Sequence, residues 1–304
     1  MSLPAWAEYR SLIRVALLLL LALTVTACSA VRLVYPNLDR MVVWRTTDYV
    51  DLNRAQRSWL RREAQVFLHW HRTEQLSHWA ELLREFDRSV SNGVDAEQLD
   101  DFQLRVNALI DAMLEQMMPA VTELMAQLSE KQIQGFAAAM AKSNEDLNED
   151  YVGLDPDEQR EVWRNKVRDG LDRWIGRFTP EQNVMLEFVS QEVTPNNTAW
   201  VEYRQLWQGD LLAALSTRDD RQALETRVLE LVMHRERWHT DDYSEISRRN
   251  QVAYERFAVE LLTSLDERQQ RQLSSRLASL ADDFTALAAT TRAAPQSPGP
   301  APPG

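Results

Sequence analysis

Leu265-Asp266-Glu267-Arg268-Gln269, continued by Leu273, Leu277, Leu280, Phe284 and Leu287, decides how the chain is read. The aspartate can accept from the free N–H groups that open a helix, and the glutamine three places on can reach back to the aspartate's own N–H. Apolar residues then recur every three or four positions, which is the buried stripe of an amphipathic helix. The same opening stands at Asn53-Arg-Ala-Gln56, Asp95-Ala-Glu-Gln98, Ser129-Glu-Lys-Gln132, Asp155-Pro-Asp-Glu158, Thr179-Pro-Glu-Gln182 and Asp219-Asp-Arg-Gln222. Pro156 and Pro180 fall at the first helical position, where a missing N–H costs nothing.

Between these starts the stripes continue. Trp59, Leu60, Val66, Phe67, Trp70, Trp79, Leu82, Leu83 and Phe86 trace one long helix, and Leu99, Phe102, Val106, Leu109, Met113 and Met117 trace a second, which Pro119 should kink. No segment alternates in the manner of a strand. Only four prolines and six glycines fall between Asn53 and Thr291, a scarcity that favours helix over loop. The reading is an all-α protein, an elongated antiparallel bundle of about eight helices, at about 53–90, 96–128, 130–151, 156–176, 180–193, 196–215, 220–264 with a break near Thr240, and 267–291. The bundle domain spans 52–292. Residues 293–304 (AAPQSPGPAPPG) form a Pro-rich tail with nothing to bury.

The amino-terminal end carries a different signal. Arg10 and Arg14 precede an apolar run from Val15 to Val25, and small residues lead to Cys28. Such a run is about half the roughly 20 residues needed to span a bilayer, so residues 1–27 read as a signal peptide. Val25-Thr26-Ala27-Cys28 is similar to the lipobox of bacterial lipoproteins. That resemblance implies cleavage before Cys28 and covalent lipid on its sulfur, each buried CH₂ contributing about 0.8 kcal/mol to membrane binding. Ser29 after the cysteine implies the periplasmic face of the outer membrane, with the inner membrane as the alternative. Residues 28–51 are then a lipidated terminus and a short helix close to the lipid, with Leu33, Val34, Tyr35, Leu38, Met41, Val42, Val43 and Trp44 as its apolar material.

With 44% hydrophobic and 26% charged residues the chain has ample core. Its formal charge of −12 becomes −13 when Arg10, Arg14 and Glu8 leave with the signal peptide. An acidic body without a basic cluster repels nucleic acid and anionic headgroups, so neither is an expected partner. Cys28 is the single cysteine, which excludes an internal disulfide and any cysteine-based metal site.

Four of the helix starts share an apolar residue before the cap: Leu52-Asn53-x-x-Gln56, Leu128-Ser129-x-x-Gln132, Phe178-Thr179-x-x-Gln182 and Leu265-Asp266-x-x-Gln269. The glutamines are spaced by 76, 50 and 87 residues, so this is no regular solenoid. The pattern is similar to the LTxxQ motif of small periplasmic stress chaperones, although a capping box with an adjoining apolar contact produces the same wording. A broader resemblance rests on the lipobox with Tyr35-Pro-Asn-Leu38-Asp39, Leu52 to Gln56, Trp174-Ile-Gly176-Arg-Phe178-Thr-Pro-Glu-Gln182 and Trp200-x-x-x-Arg204-x-x-Trp207-Gln208. On these the chain resembles a family of Gram-negative all-helical lipoproteins defined only as a domain of unknown function. The resemblance implies helical fold and lipid anchoring, and no activity.

Few residues suggest chemistry. His71, Glu74 and His78 would share one helical face and are the least poor metal site. Glu236-Arg-Trp-His239 is a Glu-x-x-His without the second copy a di-iron bundle requires. Asp146, Asn148, Asp150 and Asp157 imitate a calcium loop but have Tyr151 where that loop turns on glycine. Met113, Met117, Met118 and Met125 could suggest copper, yet stand at core spacing. Trp200, Arg204 and Trp207 lie on one face and could bind protein, glycan or peptide, although core spacing is the same. No phosphate loop or nucleophile elbow occurs. The expectation is a lipid-anchored protein-binding or scaffold module of the envelope, partnered by another envelope protein, with no cofactor besides the lipid and no enzymatic role favoured. The alternatives are an LTxxQ-type client binder and a metal-binding protein or enzyme.

Overall fold

The computed structural model describes residues 30–292, all of whose regular elements are helical. Residues 1–27, read from sequence as a signal peptide, and Cys28, Ser29 and the Pro-rich tail lie outside the described residues. The α-helices are α1 (Ala30–Val34), α2 (Leu38–Thr47), α3 (Arg54–Trp70), α4 (Leu76–Ser91), α5 (Ala96–Ala126), α6 (Glu130–Leu147), α7 (Pro156–Ile175), α8 (Pro180–Glu192), α9 (Asn197–Ser216), α10 (Arg221–Met233), α11 (Asp241–Thr263) and α12 (Glu267–Arg292). A π turn, His71–Gln75, joins α3 to α4 as one rod. With those two counted together and the single turn of α1 set aside, ten rods stand among the described residues where the sequence predicts about eight. The excess comes from α2 and from the division of the 220–264 stretch. There a 3-10 turn, Arg235–Trp238, ends α10, and the Thr240 side chain caps α11 by accepting from the Tyr243 N–H.

Six of the seven expected capping boxes form, at Asn53, Asp95, Ser129, Asp155, Thr179 and Asp266. The seventh is displaced by one residue. Asp220, not Asp219, caps α10 by accepting from the Ala223 N–H. α5 remains one helix through Pro119, whose ring is exposed.

Four of the boxes meet in two pairs, each with the same local twofold pattern. Gln182 and Gln269 exchange amide hydrogen bonds, Nε2 to Oε1 at 2.9 and 2.8 Å. Each also donates to the carbonyl two residues before its partner's cap, Gln182 to Ser264 at 3.3 Å and Gln269 to Arg177 at 3.1 Å. Gln56 and Gln132 repeat this, donating to one another and to the Gln127 and Asp51 carbonyls at 3.1 and 2.8 Å. Each carboxamide thus serves its own helix start and clamps that start to another far away in sequence. Because every donor is used, Gln182 and Gln269 tolerate 0% exposure.

The helices enclose more than one core. The largest gathers Val31 and Tyr35, Leu76 and Leu83 of α4, Leu186 of α8, Phe257 of α11, and Leu273 to Leu287 of α12. A second gathers Met118, Met140, Leu211, Leu224 and Leu231 from α5, α6, α9 and α10. α5, about 46 Å long at 1.5 Å per residue, gives Met113 to the first core and Met118 to the second.

At the end of α7, Gly176 has φ of 79°. A Cβ there would stand 2.7 Å from Gln272 Oε1 and 2.8 Å from Arg268 Nη1 of α12. Gly176→Ala therefore both strains the backbone and pushes α12 side chains aside. The expected loss is about 1–3 kcal/mol, read as a lower urea midpoint at unchanged slope.

Candidate functional site

Among the described residues, a cleft of about 1090 Å³ is walled by the first half of α5, α7, the 193–197 loop, the start of α9, and α11. α5 contributes Leu99, Gln103, Asn107 and Asp111, spaced by four along one face. The loop is held from two sides by carboxamides. Asn250 of α11 accepts from the Thr194 N–H at 2.9 Å and donates to the Thr194 carbonyl at 2.8 Å. Asn196 donates to the Ser247 hydroxyl, and Asn197 donates to Gln159 of α7, which donates in turn to the Leu154 carbonyl.

Aromatic faces fill the remaining wall. Trp163 of α7 stacks on Tyr254 of α11 at 5.6 Å, and Tyr203 stacks on Tyr243 at 5.1 Å with His239 edge-on to both. Lys166 donates to the Tyr151 hydroxyl at 2.9 Å and lies over its ring. Burial drives the Tyr254 hydroxyl well above the usual phenol range, against a smaller opposing pull from Trp163, so it remains a neutral phenol. Asp100, Asp111 and Glu236 are exposed residues at the rim. The two wall serines are engaged: Ser190 donates to the Glu187 carbonyl and Ser247 receives Asn196. The surface offers hydrogen-bonding amides, flat rings and charges of both signs.

The structure does not bring together the three residues of the expected metal site. The π turn inserts one residue, a rotation of about 100°, and so breaks the shared face. His71 is turned inward at 3% exposure, while Glu74 and His78 are exposed. Among the described residues no group of three His, Cys, Asp or Glu side chains is placed to hold a metal. The calcium-like run is helical: Asp146 lies in the last turn of α6 with Lys142 bonded to it, and 148–152 is a π turn with Tyr151 buried. Met113 and Met118 are buried in different cores. Glu236 belongs to a 3-10 turn, and His239 to the aromatic group above. The LTxxQ-like glutamines are consumed in the two amide pairs.

Trp200, Arg204 and Trp207 do not form an open face. Trp200 is 2% exposed, with the Arg204 guanidinium over its ring and donating to Ser143. Trp207 is half-buried and donates to the Leu231 carbonyl. Of the three, Trp200 reaches the cleft wall. Sequence reasoning missed Gln159, Asn196, Asn197, Asn250 and Tyr254. One signal was available: Asn250 sits in the buried stripe of Ala253, Phe257 and Leu261, where a polar side chain needs a fixed partner.

Among the described residues no helix is long and apolar enough to cross a membrane. No curated protein and no solved structure matches the chain. A match to a protein family extends over residues 48–244, from just before α3 to the first turn of α11, and takes in every cleft element up to Tyr243. The chain belongs to that family, DUF6279, a family of unknown function.

Proposed function

We propose that this protein is a lipid-anchored module of the cell envelope that binds an extended segment of another envelope protein in the cleft. The observation that carries the reading is the cleft itself. Its carboxamides, Gln103 and Asn107 on α5 and Gln251 on α11, match the alternating donors and acceptors of a peptide backbone. Its rings offer flat apolar area for side chains at low entropic cost. The lipobox-like sequence at Cys28 supports anchoring, and the acidic body argues against nucleic acid. In this reading the periplasmic face of the outer membrane is the site of action.

The test is a photo-crosslinking residue placed in living cells at Leu104 or Gln251, both exposed in the cleft wall, and at Val184 on the outer face of α8 as control. One discrete envelope protein captured from 104 and 251, and not from 184, is the expected result. The same smear from all three positions, or no product from the cleft, overturns the proposal.

A further inference from the structure

The amino-terminal strap, α1, the 3-10 turn Tyr35–Asn37 and α2, carries apolar residues on two opposite faces. Its inner face is fully used by the protein. Val31 and Tyr35 are buried in the main core, and Asp39 is buried and accepts from Arg61 and Gln65 of α3 at 2.8 Å each. Tyr35 shares a 2.7 Å hydrogen bond with His71, and Arg32 pairs with Asp283 of α12 at 2.6 Å. The outer face carries Leu33, Asn37, Arg40 and Trp44, all exposed, Leu33 at 69% and Trp44 at 64%. The intervals of four, three and four place these residues on one stripe of the helix.

What lies over that stripe follows from where the strap begins. Cys28 precedes buried Val31 by three residues, a reach of at most roughly 10 Å. Acyl chains on Cys28 would therefore enter a bilayer within that distance of the start of α1, and the ties to α3, α12 and His71 hold the strap against the body. We infer that the Leu33, Asn37, Arg40 and Trp44 stripe is a membrane-docking face that lies in the headgroup region and fixes the orientation of the domain on the bilayer. The inference rests on the lipid anchoring proposed above. Leucine and tryptophan supply interfacial apolar contact, and Arg40 stands between them where a lipid phosphate would lie. The strap, about 27 Å long at helical rise, thus holds the body close to the surface where a three-residue linker alone would let it tumble.

The experiment uses the lipidated full chain in phosphatidylcholine vesicles, with Leu33→Cys or Trp44→Cys carrying a bimane label and Val184→Cys as control. Cys28 is the only native cysteine, so in the lipidated chain the introduced thiol is the one that reacts. Brominated acyl chains are expected to lower emission at 33 and 44 at least twofold and leave 184 unchanged. If the chain floats with the vesicles while labels at 33 and 44 are quenched by aqueous iodide as readily as at 184, the domain stands off on its lipid and the docking face is wrong. Nitroxide labels at 44 that couple between two chains would show a second copy on the stripe and overturn it as well. If the native chain and Cys28→Ala both fail to float, the anchor falls and the docking face with it.

Discussion

Replacing Gln269 by leucine is expected to destabilise the domain by roughly 3 kcal/mol, the sum of a lost cap of about 1 kcal/mol and newly unpaired buried groups of about 1–3 kcal/mol. The substitution leaves the Asp266 N–H and the Arg177 carbonyl without the glutamine and removes both hydrogen bonds of the exchange with Gln182. Gln98→Leu is the control, since Gln98 closes the same capping box at an exposed site. It should cost about 1 kcal/mol or less. Urea unfolding followed by tryptophan fluorescence measures both. The double variant Gln182→Leu with Gln269→Leu should cost clearly less than the two single losses added, because neither leaves the other's amide unpaired. Additive losses would mean that the amide pair is not a unit.

The second large effect is a pH dependence. His71 is stacked between Tyr35 and Phe67, its Nδ1 is 2.7 Å from the Tyr35 hydroxyl, and its Nε2 is buried without a hydrogen-bond partner. Burial, with the Arg72 charge adding to it, pulls the imidazole down to about 4. A histidine whose folded value is depressed takes up its proton in the unfolded chain first, so the contribution is fully present above about pH 6.5 and is lost as pH falls toward 4. The shift corresponds to roughly 3 kcal/mol across that window. His71→Gln should be less stable than the native protein at pH 7 and lose less on acidification. The stability difference between the two should therefore shrink by about that amount between pH 6.5 and 4. A constant difference would show that the ring stays neutral in both states or is solvated in the folded one.

The helices were readable from the sequence because their signals are local. A cap, a glutamine three residues on and a stripe every three or four positions all lie within one helix, and six of seven boxes form where they were expected. The Asp219 box slipped because Asp220 offers the same carboxylate one step later. The π turn at His71 left no mark, since inserting one residue into a turn changes the face a side chain occupies without changing composition. That is why His71, Glu74 and His78 looked like neighbours. The pairing of Gln182 with Gln269 and of Gln56 with Gln132 was unreadable for another reason. Four helix starts of similar wording give no local clue to which meets which. The cleft was hidden likewise, because Asn196, Asn250 and Tyr254 acquire their roles from elements brought together over more than fifty residues.

The tie between Arg32 and α12 also orders events in time. Arg32 donates to the Asp282 carbonyl across 250 residues, while the bond that Arg61 donates to Asp39 of the strap closes over only 22. Loop-closure entropy makes the longer contact costlier to form by about 2 kcal/mol. A polypeptide emerging amino end first, from a ribosome or through a translocation channel, must leave Val31 and Arg32 without their seat until its last helix has appeared. Docking at one end of the chain thus waits on delivery of the other, and a nascent protein stalled before α12 would present an undocked α1 to whatever quality control is at hand.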